Sequence, residues 1–129
     1  MKKDAYRAWE PVSNLPQRMF CEGLHDDYEG FRVLLRGGSP TDSVLRIRFD
    51  SVLAYRNVDE SFRLRTLYAI AGDQPRALWI VDDSTWVQWL MAESLETLAA
   101  SGLVHYVIFT PNDIIDIIAD SAPDVEWLD

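Results

Sequence analysis

The chain carries one cysteine, two histidines and no lysine or arginine beyond residue 76. A lone Cys21 forms no internal disulfide, which suits a reducing compartment and excludes a disulfide-stapled secreted scaffold. Cys21 also lacks the motif context of a thiol nucleophile. No run approaches the ~18 apolar residues of a membrane-spanning helix. The opening MKKDAYRAWEPV has no apolar core of a signal peptide, so the expected location is cytoplasmic. Gly37-Gly38-Ser39-Pro40 is followed by no lysine and opens no helix, which excludes a Walker-type phosphate loop. Ser61 and Ser84 lack the flanking glycines of a nucleophile elbow. No two metal-ligating residue types stand at a metal-site spacing. His25-Asp26-Asp27 resembles half a site only in composition and reads as a polar loop before a strand. The sequence therefore points to no metal, no cofactor and no catalytic residue.

Charge is unevenly placed within a formal total of −9. Residues 1–76 hold all 12 Lys and Arg against 11 acids, and residues 77–129 hold ten acids and no cation. Two arrangements satisfy this. Arginines of the first half can lie beside acids of the second and neutralise them. Alternatively the acids form a face that repels nucleic acid and attracts a basic protein. Neither nucleic acid nor membrane is an expected partner.

What is abundant is apolar residue, 48% of the chain with 15 aromatics, ample for the core of one domain spanning 1–129. Residues 1–28, broken by Pro11 and Pro16, read as peripheral and largely irregular, with a helical turn near 17–21 and Trp9 and Phe20 tying the segment to the core. Extended segments follow at 31–35, 44–49, 52–58 and 77–81. The second alternates Leu45, Ile47 and Phe49 against Arg46 and Arg48, a half-buried strand with a basic outer face. The first two read as a hairpin closed by the Gly/Pro loop. Residues 62–72 fit either a strand or the start of a helix, and 72–75 reads as a turn. Asp82-Asp83-Ser84 supplies caps for a principal helix at about 85–100, with Val87, Leu90, Met91, Leu95 and Leu98 as its apolar stripe and Gly102 at its end.

The densest apolar stretch is 103–119, LVHYVIFTPNDIIDIIA. Its β-branched flanks around Thr110-Pro111-Asn112-Asp113 predict a hairpin with roughly four loop residues, Asn112 and Asp113 in the exposed turn and Ile115 or Ile117 facing the core. A helix starting at Thr110 is the rival, disfavoured because four isoleucines in five positions lose rotamer freedom in a helix. The tail 125–128 should dock through Trp127 and Leu128. The fold class expected is α+β: a mainly antiparallel sheet of about five or six strands with the one principal helix packed on a face.

Two sets of candidate site residues emerge. Trp89 falls on the polar side of the helix with Glu93 and Glu96, an aromatic anchor among steering charges for a basic partner. The alternative is a pocket of a small enzyme or ligand-binding domain around Tyr55, Arg56, Glu60 and His105. There the plain reading is a strand-end ion pair of Arg56 with Glu60, which share a face, beside a packed, hydrogen-bonded His105. His105, Asp113 and Asp116 are acid–base residue types, but the hairpin puts His105 far from the turn. AYRNVDES, STWVQWL, HYVIFTPNDIIDIIA and a closing PxVEWL, in that order across about 43–128, resemble a family of small uncharacterised bacterial proteins. The resemblance implies a small cytoplasmic α+β protein. Size and acidity are similar to those of immunity proteins that neutralise bacterial toxins. It transfers no catalytic residue.

Overall fold

The computed structural model describes residues 3–70, 76–98 and 102–128. Its strands are β1 (Ala5–Ala8), β2 (Phe20–Asp27), β3 (Gly30–Arg36), β4 (Val44–Phe49), β5 (Val52–Asp59), β6 (Leu78–Asp82), β7 (Val104–Phe109), β8 (Asp113–Ala119) and β9 (Asp124–Leu128). A 3-10 turn at Glu60–Phe62 leads into helix α1 (Leu64–Ile70), and helix α2 (Thr85–Glu93) follows β6. The strands form two antiparallel sheets, β1-β6-β7-β8-β5 and β2-β3-β4-β9. The α+β class holds, but the single sheet of five or six strands is corrected to two sheets of five and four.

The two sheets share one core. Phe31, Val33, Leu35, Leu45, Ile47 and Phe49 of the smaller sheet meet Leu78, Ile80, Tyr106, Ile108, Ile115, Ile117 and Ala119 of the larger. The alternation read in β4 is the observed one: Leu45, Ile47 and Phe49 are buried, while Arg46 and Arg48 face outward. Phe49 meets Tyr106 edge-on across the interface at 5.3 Å. The docked tail is β9, paired with β4, and its Trp127 packs on the core.

The hairpin at the centre of the sequence is β7–β8, joined by Thr110, Pro111 and Asn112. The loop is one residue shorter than expected because Asp113 already belongs to β8. Thr110 closes it: its hydroxyl accepts the Asp113 N–H at 2.9 Å and donates to the Asp113 carbonyl at 3.0 Å. Asn112 is exposed and Asp113 half-buried. Ile115 and Ile117 face the inter-sheet core, while Ile114 and Ile118 are equally buried on the opposite face. β8 lies between two other strands and is covered on both faces, so it reads as a continuous apolar run rather than an alternating one.

The outer face of the five-stranded sheet has its own apolar layer. Trp79, Val81, Val107 and Ile114 are covered by Leu67 and Ile70 of α1 and by Tyr6. This settles 62–72 as a 3-10 turn and helix over its described part; the turn expected at 72–75 lies outside the described residues.

Two further expectations fail. No helical turn forms at 17–21, and within the first 28 residues two strands flank an irregular stretch: β1 pairs with β6, and β2 pairs with β3. Both are edge strands, whose backbones bond on one side only and which tolerate polar sequences such as EGLHDD. His25, Asp26 and Asp27 are therefore strand, not loop. The expected link between Trp9 and the core does form, against Tyr106 at 4.9 Å. The helix at 85–100 stops at Glu93. The Leu95 N–H bonds the Ala92 carbonyl and the Glu96 N–H bonds the Met91 carbonyl, the paired bonds of a Schellman termination. The stop therefore comes well before Gly102, and Leu95 leaves the apolar stripe for solvent.

Replacing Ile117 by Ala removes a fully buried side chain from the inter-sheet core and should cost ~2–4 kcal/mol. Equilibrium denaturation checks this; a loss below about 0.5 kcal/mol, the range of surface changes, would contradict the register.

Candidate functional site

The site grows from Asp116, the fourth residue of β8 and the middle of its IIDII run. Alternation puts it on the outer face between Ile114 and Ile118, where it is fully buried. A buried carboxylate is tolerable only when paired and hydrogen-bonded. Three elements supply the partners. β7 brings His105, whose Nε2 lies 2.8 Å from Oδ2. The link between the 3-10 turn and α1 brings Arg63, with Nη1 2.5 Å from Oδ1 and Nη2 3.3 Å from Oδ2. β5 brings Arg56 in direct register with Asp116, with Nη2 at 3.4 Å from Oδ2 and Nε at 3.3 Å from Oδ1. Burial by itself would raise the Asp116 carboxyl, but the imidazole of His105, then Arg63, then Arg56 outweigh it and hold it well below the usual carboxylate range.

The network extends outward on both sides. Arg63 donates from Nε and Nη2 to the buried Thr66 hydroxyl at 3.2 and 3.0 Å, which fixes α1. His105 Nδ1 meets Ser84 Oγ at 2.7 Å. A carboxylate only accepts, so Nε2–H points at Asp116, and in the neutral ring Nδ1 accepts the Ser84 hydroxyl proton. Ser84 is also the N-cap of α2, its Oγ accepting the Val87 N–H at 3.1 Å. Trp86, two residues into α2, stands edge-on to the His105 ring at 5.1 Å, and the Arg56 guanidinium lies over its face at 4.3 Å.

Ser84, His105 and Asp116 thus form a hydroxyl–imidazole–carboxylate chain, the order used in nucleophilic catalysis. Its surroundings oppose that use. Ser84 and His105 are both buried, the Ser84 oxygen already caps a helix, and Asp116 is shared with two guanidinium groups. The chain holds α2 to the sheet. Among the described residues no three His, Cys, Asp or Glu side chains gather in a way that could hold a metal ion.

Of the alternative pocket residues, Arg56 and His105 come together, both lining a cavity of about 490 Å³ between α1, the start of α2 and β1. Tyr55 and Glu60 do not. Tyr55 points the other way along the strand alternation and meets Phe31 at 4.8 Å. Glu60 opens the 3-10 turn, and the ion pair expected with Arg56 is replaced by Arg56–Asp116. Asp116 takes the acid–base position that Asp113 does not. The signal for it was in the hairpin: His105 faces Ile118, and the diagonal neighbour two residues along on the same face is Asp116. Arg63, Thr66 and Trp86 carry no local sequence signal of a site, because their approach depends on how the helices fold back over the sheet. Trp89 and Glu93 occur together on α2 as expected, both exposed; Glu96 is exposed too, but in the turn after the helix.

No family model, curated protein or solved structure matches the chain. No helix among the described residues is long and apolar enough to cross a membrane.

Asp116→Asn should destabilise the protein by ~3–5 kcal/mol at neutral pH, because it leaves two arginines beside a neutral amide. The sign of the pH dependence follows from the lowered carboxyl. The stabilisation is fully present above the unfolded-state value of about 4 and is lost as pH falls toward the lower folded-state value. The stability gap between wild type and variant should therefore narrow in denaturation series taken from about pH 7 to about pH 3. A constant gap would remove the charge network as its source.

Proposed function

We propose that the chain is a non-enzymatic protein-interaction protein, and that its interface is the outer side and C-terminal turn of α2. The observation that carries this is Leu95. It stands 86% exposed at φ 53, in the left-handed position that ends the helix and that glycine ordinarily fills. Glu96 follows at φ 63. A leucine there costs ~1–2 kcal/mol of backbone strain and leaves an apolar side chain in water. Neither feature serves the core. Backbone strain clusters at ligand clamps and switch regions, which supports a binding use for this turn. Trp89, 53% exposed on α2, supplies an aromatic anchor, and the exposed Glu93, one turn further along α2, and Glu96, next to Leu95 in the chain, add negative charge.

Charge selects the partner. Arg7–Asp82, Arg46–Glu126 and the Asp116 pairs neutralise part of the acidic half. Asp83, Glu93, Glu96, Asp120 and Asp124 are exposed and make no ion pair among the described residues. A surface of this sign steers a basic protein. The resemblance to small bacterial proteins of immunity-protein size adds a basic toxin as one partner of suitable chemistry.

The test recovers tagged protein from its host at low ionic strength, identifies the co-purifying protein, and measures its binding across a salt series. Association should slow as salt shortens the screening length toward about 8 Å. Reversal of Glu93 and Glu96 to Lys should weaken binding chiefly through the on-rate. Leu95→Gly should raise the stability of the free protein by ~1 kcal/mol while weakening binding. An acidic partner, or undiminished low-salt binding by the charge-reversed or Leu95→Gly protein, would refute the interface.

A further inference from the structure

The cavity between α1 and the start of α2 is lined by Lys3, Arg56, Arg63 and Arg65, four of the 12 cations of a chain whose net charge is −9. The carboxylate that lines it, Asp4, and the one its arginines reach, Asp116, are both committed elsewhere. Asp116, beneath it, is bonded to His105, Arg63 and Arg56. Asp4, at its edge, accepts the Thr85 N–H at 2.8 Å and the Thr85 hydroxyl at 2.9 Å, closing the N-terminus of α2. Four cations against these two acids leave a formal surplus of two positive charges in one concavity of an acidic protein. Lys3 and Arg65 make no ion pair among the described residues. Arg56 donates one hydrogen bond of the five its guanidinium can make, and its buried Nε has no aligned acceptor. Arg63, by contrast, is spent on Asp116 and Thr66. The remaining wall includes Trp86, Phe62 and Tyr6.

We propose that this cavity binds a small organic anion, a molecule carrying a phosphate or carboxylate on an apolar body. Arg56, Arg65 and Lys3 hold the oxyanion, and Trp86 and Phe62 take the apolar part. Arg63 is a positioning residue: it balances Asp116 so that the guanidinium of Arg56 stays in place with donors to spare. The forked donors of arginine match both oxyanions. A cavity of about 490 Å³ is larger than a bare oxyanion needs and falls among pockets that enclose small organic ligands. This goes beyond the interaction reading and does not depend on it, since the cavity is separate from Leu95 and the glutamates at the other end of α2.

The test uses the isolated full chain, so failure here leaves the partner experiment untouched. Phenyl phosphate and benzoate are titrated as probes, with inorganic phosphate for the anion alone and benzyl alcohol for the apolar part alone. Binding is read by calorimetry and by the shift of the Trp86 indole N–H resonance. At least one aryl anion should bind with a Kd of about 1 mM or tighter and move that resonance. Which of the two binds distinguishes phosphate from carboxylate. Arg65→Ala should weaken binding about tenfold or more with an unchanged unfolding midpoint, since Arg65 is exposed and outside the Asp116 network. Lys3→Gln, also at an exposed position, should weaken it in the same direction. The proposal is overturned if neither aryl anion saturates, if benzyl alcohol binds as well as the anions, or if both variants bind like the wild type.

Discussion

A single carboxylate buried in a strand of isoleucines governs how the outer face of this protein is built. Asp116 has no exposed surface and sits between Ile114 and Ile118. Left alone it would not remain ionised there, since the cost of an unpaired buried charge exceeds the marginal stability of a domain. The structure therefore brings two guanidinium groups and an imidazole to it from three different elements. Pairs of this kind contribute little net stability against a well-packed apolar alternative; what they impose is geometry. Arg63 must reach Asp116, so the turn before α1 is drawn onto the sheet. His105 must be oriented by its second nitrogen, so Ser84 and the start of α2 are drawn to the same point. The cavity between the helices is the space left by those two constraints.

The segregation of charge along the chain resolves unevenly in space. Arg7, Arg46, Arg56 and Arg63 cross from the first half to acids of the second. Arg32, Arg36, Arg48 and Arg76 instead pair within the first half, with Asp27, Glu22, Asp50 and Glu10. Internal neutralisation and an acidic surface are therefore both present. Exposed ion pairs of this sort contribute ~0–1 kcal/mol each, so their meaning lies in where uncompensated charge remains. It remains negative around the end of α2 and positive inside the cavity beside α1. Two surfaces of opposite sign within one helix length suit two different binding chemistries, a protein at one and a small anion at the other.

The end of α2 shows the same logic in backbone terms. A helix that stops by a Schellman turn needs a left-handed residue, and glycine supplies it without strain. Here Leu95 supplies it, and the following Glu96 is left-handed as well. The early stop turns Leu95 out of the helix's apolar stripe and into solvent. Trp89, Leu95, Glu93 and Glu96 are thereby presented to solvent rather than wound around a longer, half-buried helix.

The sequence by itself determined the elements whose pattern is local. β4 alternates because one face meets the core and the other meets water. The β7–β8 hairpin is written in its β-branched flanks and in Thr110-Pro111-Asn112, and the docking of Trp127 and Leu128 follows from their need for cover. Tertiary structure decided what depends on distant partners. β1 is only four residues long and most of β2 is polar, and both become strands only because a neighbouring strand offers backbone hydrogen bonds. Arg56 has Glu60 nearby in sequence but pairs with Asp116 across the sheet, because β5 and β8 align them and the interior makes that carboxylate the more demanding partner. Residues 103–119 contain both His105 and Asp116, and period-two alternation places them on one face. Arg63, Thr66, Ser84 and Trp86 reach that face only when both helices fold back over the sheet, a step that covers the apolar outer layer and meets a buried charge whose compensation no local pattern encodes.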